Sequence, residues 1–324
     1  MPTTTPDTIR PIKRIGLRAT LLNHLLYRYS KLPAERAPAQ LEVKDEYLAR
    51  GARRAAKLLK RNEKVPRHIR IEPVTLTTTA GQFDAEWLSA PAASADKVIL
   101  YCHGGGYFMC SAATHRPLTW RLAQQTGRCV LSINYRQAPE HRFPAWLEDA
   151  VGAYRYLLDS GYAPEKIVLG GDSAGGNLVL VTLQQLRNEG LPMPGAAFCI
   201  SPWADFASEG ASIESNNARD VMFSNKGLRA LGLYHATGHD VRSPLLSPVN
   251  ADFHGFPPLL LQASSTEILR DDSRRVAAAA RAAGVEVRLE EWHRLPHVFH
   301  LFAQQVPEAR RAIRHLAAFV RAHA

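Results

Sequence analysis

Residues 167–177 read Ile-Val-Leu-Gly-Gly-Asp-Ser-Ala-Gly-Gly-Asn, which sets Ser173 between Gly171 and Gly175 directly after an aliphatic run. A helical-looking stretch, Gly-Asn-Leu-Val-Leu-Val-Thr-Leu-Gln-Gln-Leu, follows at once. A serine on a sharp turn between strand and helix is held clear of the sheet, at the helix end where backbone N–H groups and the positive end of the dipole face it. Such a turn brings the residues at i−2 and i+2 against neighbouring backbone, and only glycine fits there. The chemistry this suits is nucleophilic attack by a hydroxyl. A phosphate-binding loop is the alternative, but the spacing is neither G-x-G-x-x-G nor G-x-x-x-x-G-K-[ST], and no lysine follows.

A second stretch, His103-Gly104-Gly105-Gly106-Tyr107-Phe108, follows the apolar run Val98–Cys102. Three glycines leave their N–H groups unshielded, and an oxyanion forming on an acyl carbon needs two or three such donors. Gly104, Gly105 and Gly106, with the N–H of Ala174 beside the serine, are the candidates. His103 can bond local carbonyls and shape the loop, which a merely flexible loop would not require.

The elements that must position these groups alternate. Residues 98–102, 129–135, 166–170, 196–201, 257–263 and 285–292 read as strands, with helices over 145–159, 176–189 and 272–283 between them. Buried strands separated by helices predict a mostly parallel sheet covered on both faces, where chemistry collects at the carboxyl ends of the strands. Residues 1–70 differ from the rest. Ile12, Ile15, Ala19, Leu22, Leu26 and Tyr29 repeat at helical spacing, with Arg14, Arg18 and Arg28 elsewhere on the circumference. A second helix over 42–62 carries Tyr47, Leu48, Ala52, Ala55, Leu58 and Leu59, and Pro66 closes it.

The net charge of +10 is lodged in that segment: residues 1–70 hold 17 Lys and Arg against 6 Asp and Glu, and residues 71–324 hold 23 against 24. The body therefore has no basic footprint for nucleic acid. Two helices laid on a larger body, basic sides in water, account for the excess; an anionic membrane surface is the other reading. No apolar run reaches membrane-spanning length, and the N-terminus lacks a secretory h-region, so no stable membrane insertion is expected. Cys102, Cys110, Cys129 and Cys199 form neither a metal motif nor a disulfide pattern, which points to a reducing, cytoplasmic compartment.

HGGGY at 103–107, YRQAPEHRFPAWLEDA at 135–150, GDSAGG at 171–176, SPWADF at 201–206 and SPLLSP at 243–248 together resemble the hormone-sensitive-lipase-like esterases of the α/β-hydrolase fold. The likeness runs from about residue 75 to 320, in the family's order. It implies a Ser–acid–His triad in that chain order. The histidine falls on His297, where His-Val-Phe matches the family's H-x-F, with His293 and His300 as competitors. H-x3-H-x2-H could also be read as a metal cluster, but Pro296 breaks the helix that would align it. The acid falls on Glu267, where the family usually has aspartate; Asp271 is the main rival and Asp205 a distant third, while Asp271 and Asp272 precede a helix and read as its caps.

The resemblance further implies a helical cap made of residues 1–70 and roughly 203–245 on a catalytic domain of residues 71–324, no metal or organic cofactor, and small hydrophobic esters as substrates; it is compatible with a homodimer. A serine carboxylesterase for short-to-medium acyl esters is the first reading. A lactone hydrolase or a deacetylase of acylated small molecules keeps the same nucleophile. A ligand-binding receptor on this fold, like the plant gibberellin receptors that lack the histidine, is disfavoured by the presence of Ser173, Glu267 and His297 together.

Overall fold

The structure is a computed structural model that describes residues 15–35, 43–59, 64–79 and 81–324. Ile12 and Arg14 lie outside the described residues, as do the side chains of Ala55, Leu58 and Leu59. Eight strands form one sheet: β1 (Arg70–Thr78), β2 (Gly81–Ser89), β3 (Ser94–Cys102), β4 (Arg128–Ile133), β5 (Ile167–Asp172), β6 (Ala196–Ile200), β7 (Leu259–Ser264) and β8 (Val287–Trp292). Their order across the sheet is β1-β2-β4-β3-β5-β6-β7-β8. All neighbours from β4 to β8 run parallel, and β1 and β2 are joined antiparallel at one edge.

The helices in chain order are α1 (Leu17–Leu26), α2 (Leu32–Glu35), α3 (Asp45–Leu59), α4 (Ala112–Thr126), α5 (Ala145–Asp159), α6 (Ala174–Asn188), α7 (Ser212–Ser215), α8 (Asn225–His235), α9 (Arg270–Ala282) and α10 (Pro307–His323). Strand side chains alternate between the two faces. Val98, Leu100 and Leu169 pack with Leu147, Leu178 and Val276 of α5, α6 and α9 on one side, while Ile99, Tyr101 and Val168 pack with Leu118, Leu122, Ile313 and Leu316 of α4 and α10 on the other. This is the doubly covered α/β-hydrolase sheet, and the six central strands fall where the apolar runs predict them. Strands β1 and β2 were not anticipated. RIEPVTLTT and GQFDAEWLS are half exposed, so they alternate polar with apolar residues and never form a continuous apolar run.

The N-terminal helix departs from its predicted face. Ile15, Ala19 and Leu22 do pack against the body, but Tyr29 is 75% exposed. Tyr27–Lys31 is a π-helical turn, whose extra residue rotates Tyr29 outward and Lys31 inward. Leu17, Leu21 and Leu25 are also exposed, so α1 is apolar on two sides rather than one.

Hydrogen bonds join the N-terminal helices to the insertion that follows β6. Ser30 Oγ donates to the Met222 carbonyl at 3.1 Å, Lys31 Nζ to Asn217 Oδ1 at 3.0 Å, and Tyr234 Oη to Asp45 Oδ1 at 2.7 Å. Among the described residues no helix is long and apolar enough to cross a membrane.

Candidate active site

Ser173 sits between the end of β5 and the start of α6, at φ +54° and ψ −121°. For a residue with a side chain this conformation costs about 1–3 kcal/mol, and it persists only when the surroundings hold it. They do: the Ser173 N–H donates to the Ile200 carbonyl at 2.8 Å, and the Ser173 carbonyl accepts from the N–H groups of Asn177 and Trp203 at 3.0 Å each. A Cβ on Gly171 would lie 2.8 Å from the Cys102 carbonyl oxygen, and one on Gly175 would lie 2.6 Å from that of His103. Both are rigid backbone, so the glycines are steric requirements of the turn. Gly176 faces Pro202, whose Cβ a side chain there would meet at 3.0 Å.

One residue earlier, the buried Asp172 carboxylate organises the glycine loop. Its Oδ1 accepts from Tyr101 Oη at 2.6 Å and from the Gly104 N–H at 3.0 Å, and its Oδ2 from His115 Nε2 at 3.2 Å. Burial alone would raise its pKa, but the imidazole of His115 and the bonds from His115 and Tyr101 outweigh that and lower it. The Gly104 N–H is thereby consumed. Of the four expected oxyanion donors, Gly104 is therefore corrected to an anchor, while among the described residues nothing accepts from the N–H groups of Gly105 and Gly106. Ala174 opens α6, where an N–H has no intrahelical acceptor.

His103 shapes the loop as the sequence suggested. Its Nδ1–H donates to the Gly104 carbonyl at 2.7 Å, its ring stacks on Tyr135 at 4.5 Å, and Tyr135 Oη donates to the His103 carbonyl at 2.6 Å. Burial and the neighbouring His115 push the His103 pKa down to about 3. A second histidine, His235 of α8, was not anticipated. It stands among Tyr107, Trp146, Trp203, Phe206 and Tyr234 and donates from Nε2 to the Gly106 carbonyl at 2.7 Å. Burial lowers its pKa to about 4.

Glu267 and His297 are brought together across 30 residues: Glu267 Oε2 accepts from His297 Nδ1 at 2.7 Å, both side chains being almost fully buried. The other oxygen, Oε1, accepts from Ser201 Oγ at 2.8 Å and from the Ser264 N–H at 2.6 Å. Ser201, at φ +46°, is the residue after Ile200, which holds Ser173; the serine turn and the carboxylate are thus one hydrogen-bonded unit at the ends of β5, β6 and β7. Ser201 opens SPWADF, a segment in which no local signal sets its serine apart. His297 Nε2 is buried and makes no hydrogen bond, and the Phe223 ring meets the imidazole edge-on, centroids 4.8 Å apart.

The rival acids face elsewhere. Asp271 accepts from the Ser212 N–H at 2.8 Å and pairs with Arg270 at 3.0 Å, and Asp205 pairs with Arg275. Asp272 accepts from the N–H groups of Ala204 and Asp205 at 2.8 and 3.0 Å; burial and the nearby Asp205 raise its pKa well above the usual range. Neither Asp271 nor Asp272 caps α9 as expected, because Leu269 occupies the cap position. His300 donates to Gln262 Oε1 at 2.7 Å, with a pKa pushed down to about 3 by burial, and His293 is half exposed. Among the described residues no three His, Cys, Asp or Glu side chains are grouped to hold a metal.

Comparison with known proteins identifies the class. A family model described as the alpha/beta hydrolase fold matches residues 99–301. An acetyl-hydrolase of Streptomyces hygroscopicus is 46% identical over 243 residues, covering 75% of this chain and 81% of its own, and an esterase of Acinetobacter venetianus is 33% identical over 286 residues, covering 88% and 91%. Among solved structures, an esterase of the bacterial hormone-sensitive lipase family superposes with a TM-score of 0.85 at 36% identity, over 96% of this chain and 99% of that one. EstE5 soaked with p-nitrophenyl butyrate gives 0.84 at 37%, over 94% and 98%. The chain belongs to the α/β-hydrolase family, in its branch of bacterial hormone-sensitive-lipase esterases. It is a carboxylic ester hydrolase.

Two outcomes follow from this geometry. Gly175→Ala should fail to form the turn, giving insoluble protein or a melting temperature far below that of the wild type; a normal melt would show that the Cys102–His103 backbone yields. The second concerns acid. His103, His235 and His300 titrate at about 3 to 4 when folded and near 6.5 when unfolded, so below about pH 6.5 the unfolded chain binds protons that the folded chain refuses. Stability is lost as pH falls through that window, partly opposed by Asp272, whose raised pKa acts in the other direction. Urea denaturation at about pH 7, 6 and 5 measures it, and an unfolding free energy flat across that range contradicts neutral, buried imidazoles.

Proposed function

We propose that Ser173 is the nucleophile of this esterase, His297 its general base and acid, and Glu267 the carboxylate that orients His297. The observation that carries this reading is the 2.7 Å contact between Glu267 Oε2 and His297 Nδ1, with Glu267 Oε1 held by Ser201 and Ser264. It fixes the imidazole in the tautomer that leaves Nε2 free to accept a proton. His297 Nε2 takes the proton of Ser173 Oγ as that oxygen attacks the ester carbonyl. The oxyanion accepts from the N–H groups of Gly105, Gly106 and Ala174. His297 then protonates the departing alcohol, and water deprotonated by His297 releases the acid from the acyl-enzyme. Glu267 stabilises the imidazolium that forms.

For substrate we propose short-to-medium acyl esters, covered by a cap of residues 1–70 and roughly 203–245. The contacts of Ser30, Lys31 and Asp45 with the insertion favour treating the two segments as one unit. Removal of acetyl groups from acylated small molecules is the second reading, favoured by the relative named acetyl-hydrolase.

Ser173→Ala should lower turnover of p-nitrophenyl butyrate by at least about 1000-fold with an unchanged melting temperature. Near-wild-type turnover would sink the assignment. Glu267→Gln should cost more kcat than Asp271→Asn, and the reverse order would move the orienting role. Ser201→Ala removes one hydrogen bond to a charged group, so kcat should drop about ten-fold with KM nearly constant.

A further inference from the structure

A buried lysine reaches the site from outside the catalytic sheet. Continued as an α-helix, the face of Ile15, Ala19, Leu22 and Leu26 would turn Tyr29 inward; the π-helical turn replaces it with Lys31, which is 0% exposed. Such turns are frequent at functional sites. Lys31 Nζ donates to Asn217 Oδ1 at 3.0 Å and to the Phe223 carbonyl, with Glu35 Oε1 at 3.6 Å. Burial lowers its pKa, and Asp220 and Glu35 draw it back up. A methionine could fill the same space with no ammonium to desolvate, so simple packing does not account for a lysine.

Its acceptors belong to the segment that touches both Glu267 and His297. Asn216 Nδ2 donates to the Glu267 carbonyl at 2.8 Å. Asp220 Oδ2 accepts from the N–H of Ile268, the residue after Glu267, at 2.9 Å, and its Oδ1 accepts from the N–H groups of Met222 and Phe223 at 2.8 and 2.9 Å. Phe223, whose carbonyl Lys31 holds, is the residue whose ring lies 4.8 Å from that of His297 at an interplanar angle of 70°. The bond to Glu267 fixes one nitrogen of the imidazole but leaves the ring able to tilt about that bond. A neighbouring ring packed 4.8 Å away restricts that freedom.

We infer that Lys31 is a positioning residue for ester hydrolysis: by holding the Phe223 carbonyl it keeps the Phe223 ring against the His297 imidazole. The inference rests on His297 being the base. In that role Nε2 serves two oxygens in turn, that of Ser173 and that of the departing alcohol, and a ring displaced by about an ångström can cost two orders of magnitude in rate. The N-terminal helix thereby acts on the rate of the chemical step and not only on what fits above it.

A double-mutant cycle tests this on the full chain with p-nitrophenyl butyrate, kcat and KM being measured beside thermal melts. Lys31→Met and Phe223→Ala should each lower kcat about ten-fold with KM within about two-fold, and the double variant should be no slower than Phe223→Ala alone. A wild-type kcat for Lys31→Met, or losses that multiply in the double variant, overturns the inference. If Lys31→Met does not fold, Asn217→Ala takes its place in the cycle; it removes one acceptor of the ammonium, its expected loss is smaller, and the same two outcomes count against the inference. His297→Ala, run in parallel, separates the two readings. Near-wild-type turnover there overturns the base assignment and this inference with it, whereas an inactive His297→Ala beside an unaffected Lys31→Met overturns the inference alone.

Discussion

The Asp172 carboxylate is the point on which the rest of the site depends. A buried carboxylate carries a desolvation cost of several kcal/mol, and hydrogen bonds to a charged group contribute about 1.5–3 kcal/mol each, so it is stable only while Tyr101, Gly104 and His115 all donate to it. Those donors come from β3, the glycine loop and α4. The anion therefore binds three elements to the residue before Ser173, and the glycine loop cannot move relative to the serine without exposing an unpaired charge. Because Gly104 gives its N–H to this bond, its carbonyl is left to His103 and the next two glycines turn through φ +119° and +60°. An anchor and two turned residues after it give the loop a fixed shape.

The Glu267–His297 pair meets a different constraint. Glutamate is one methylene longer than aspartate, and its extra torsion has to be immobilised. Ser201 Oγ and the Ser264 N–H do this on Oε1, which leaves Oε2 to His297. Ser201 can reach only because its backbone takes the left-handed conformation directly after Ile200, the residue that receives the Ser173 N–H. Two strained serines at neighbouring strand ends are thus joined through Ile200, Ser173 by its own N–H and Ser201 as the next residue, whose Oγ steadies Glu267.

The features legible in the sequence are those that local rules decide. The strand-to-helix turn at Ser173 was legible because glycine at i−2 and i+2 has a steric cause, and the central strands because burial on both faces demands unbroken apolar runs. Strands β1 and β2 were hidden because one face meets water and their composition alternates. The part Gly104 plays was not legible, because the partner of its N–H, Asp172, lies 68 residues away and nothing local distinguishes an anchoring glycine from a donating one. Ser201 and His235 were missed for the same reason. Each acts through a partner set by sheet order and by where α8 comes to rest, and a serine in SPW or a histidine in LYHA has no periodicity that betrays it.

The N-terminal helix shows how far one backbone irregularity can reach. Up to Leu26 its inward face obeys the 3.6-residue period, and the pattern then fails at Tyr29, because the π-helical turn is one residue longer than the period allows. In an α-helix the ammonium of Lys31 would lie toward solvent, where it could pair with nothing that matters to the site. Turned inward, it adds a desolvated charge that must be met by oxygen atoms, and the available ones are those of the segment over His297. A helix held only by leucines could slide along the body at small cost, since apolar contacts are non-directional. A helix held by a buried cation cannot, because each of its hydrogen bonds has a direction and losing one strands a charge. Gly16 and Asn23 already tie α1 to Glu308 and to the Arg294 carbonyl, and the irregular turn adds a bond that sets its position relative to the segment over His297.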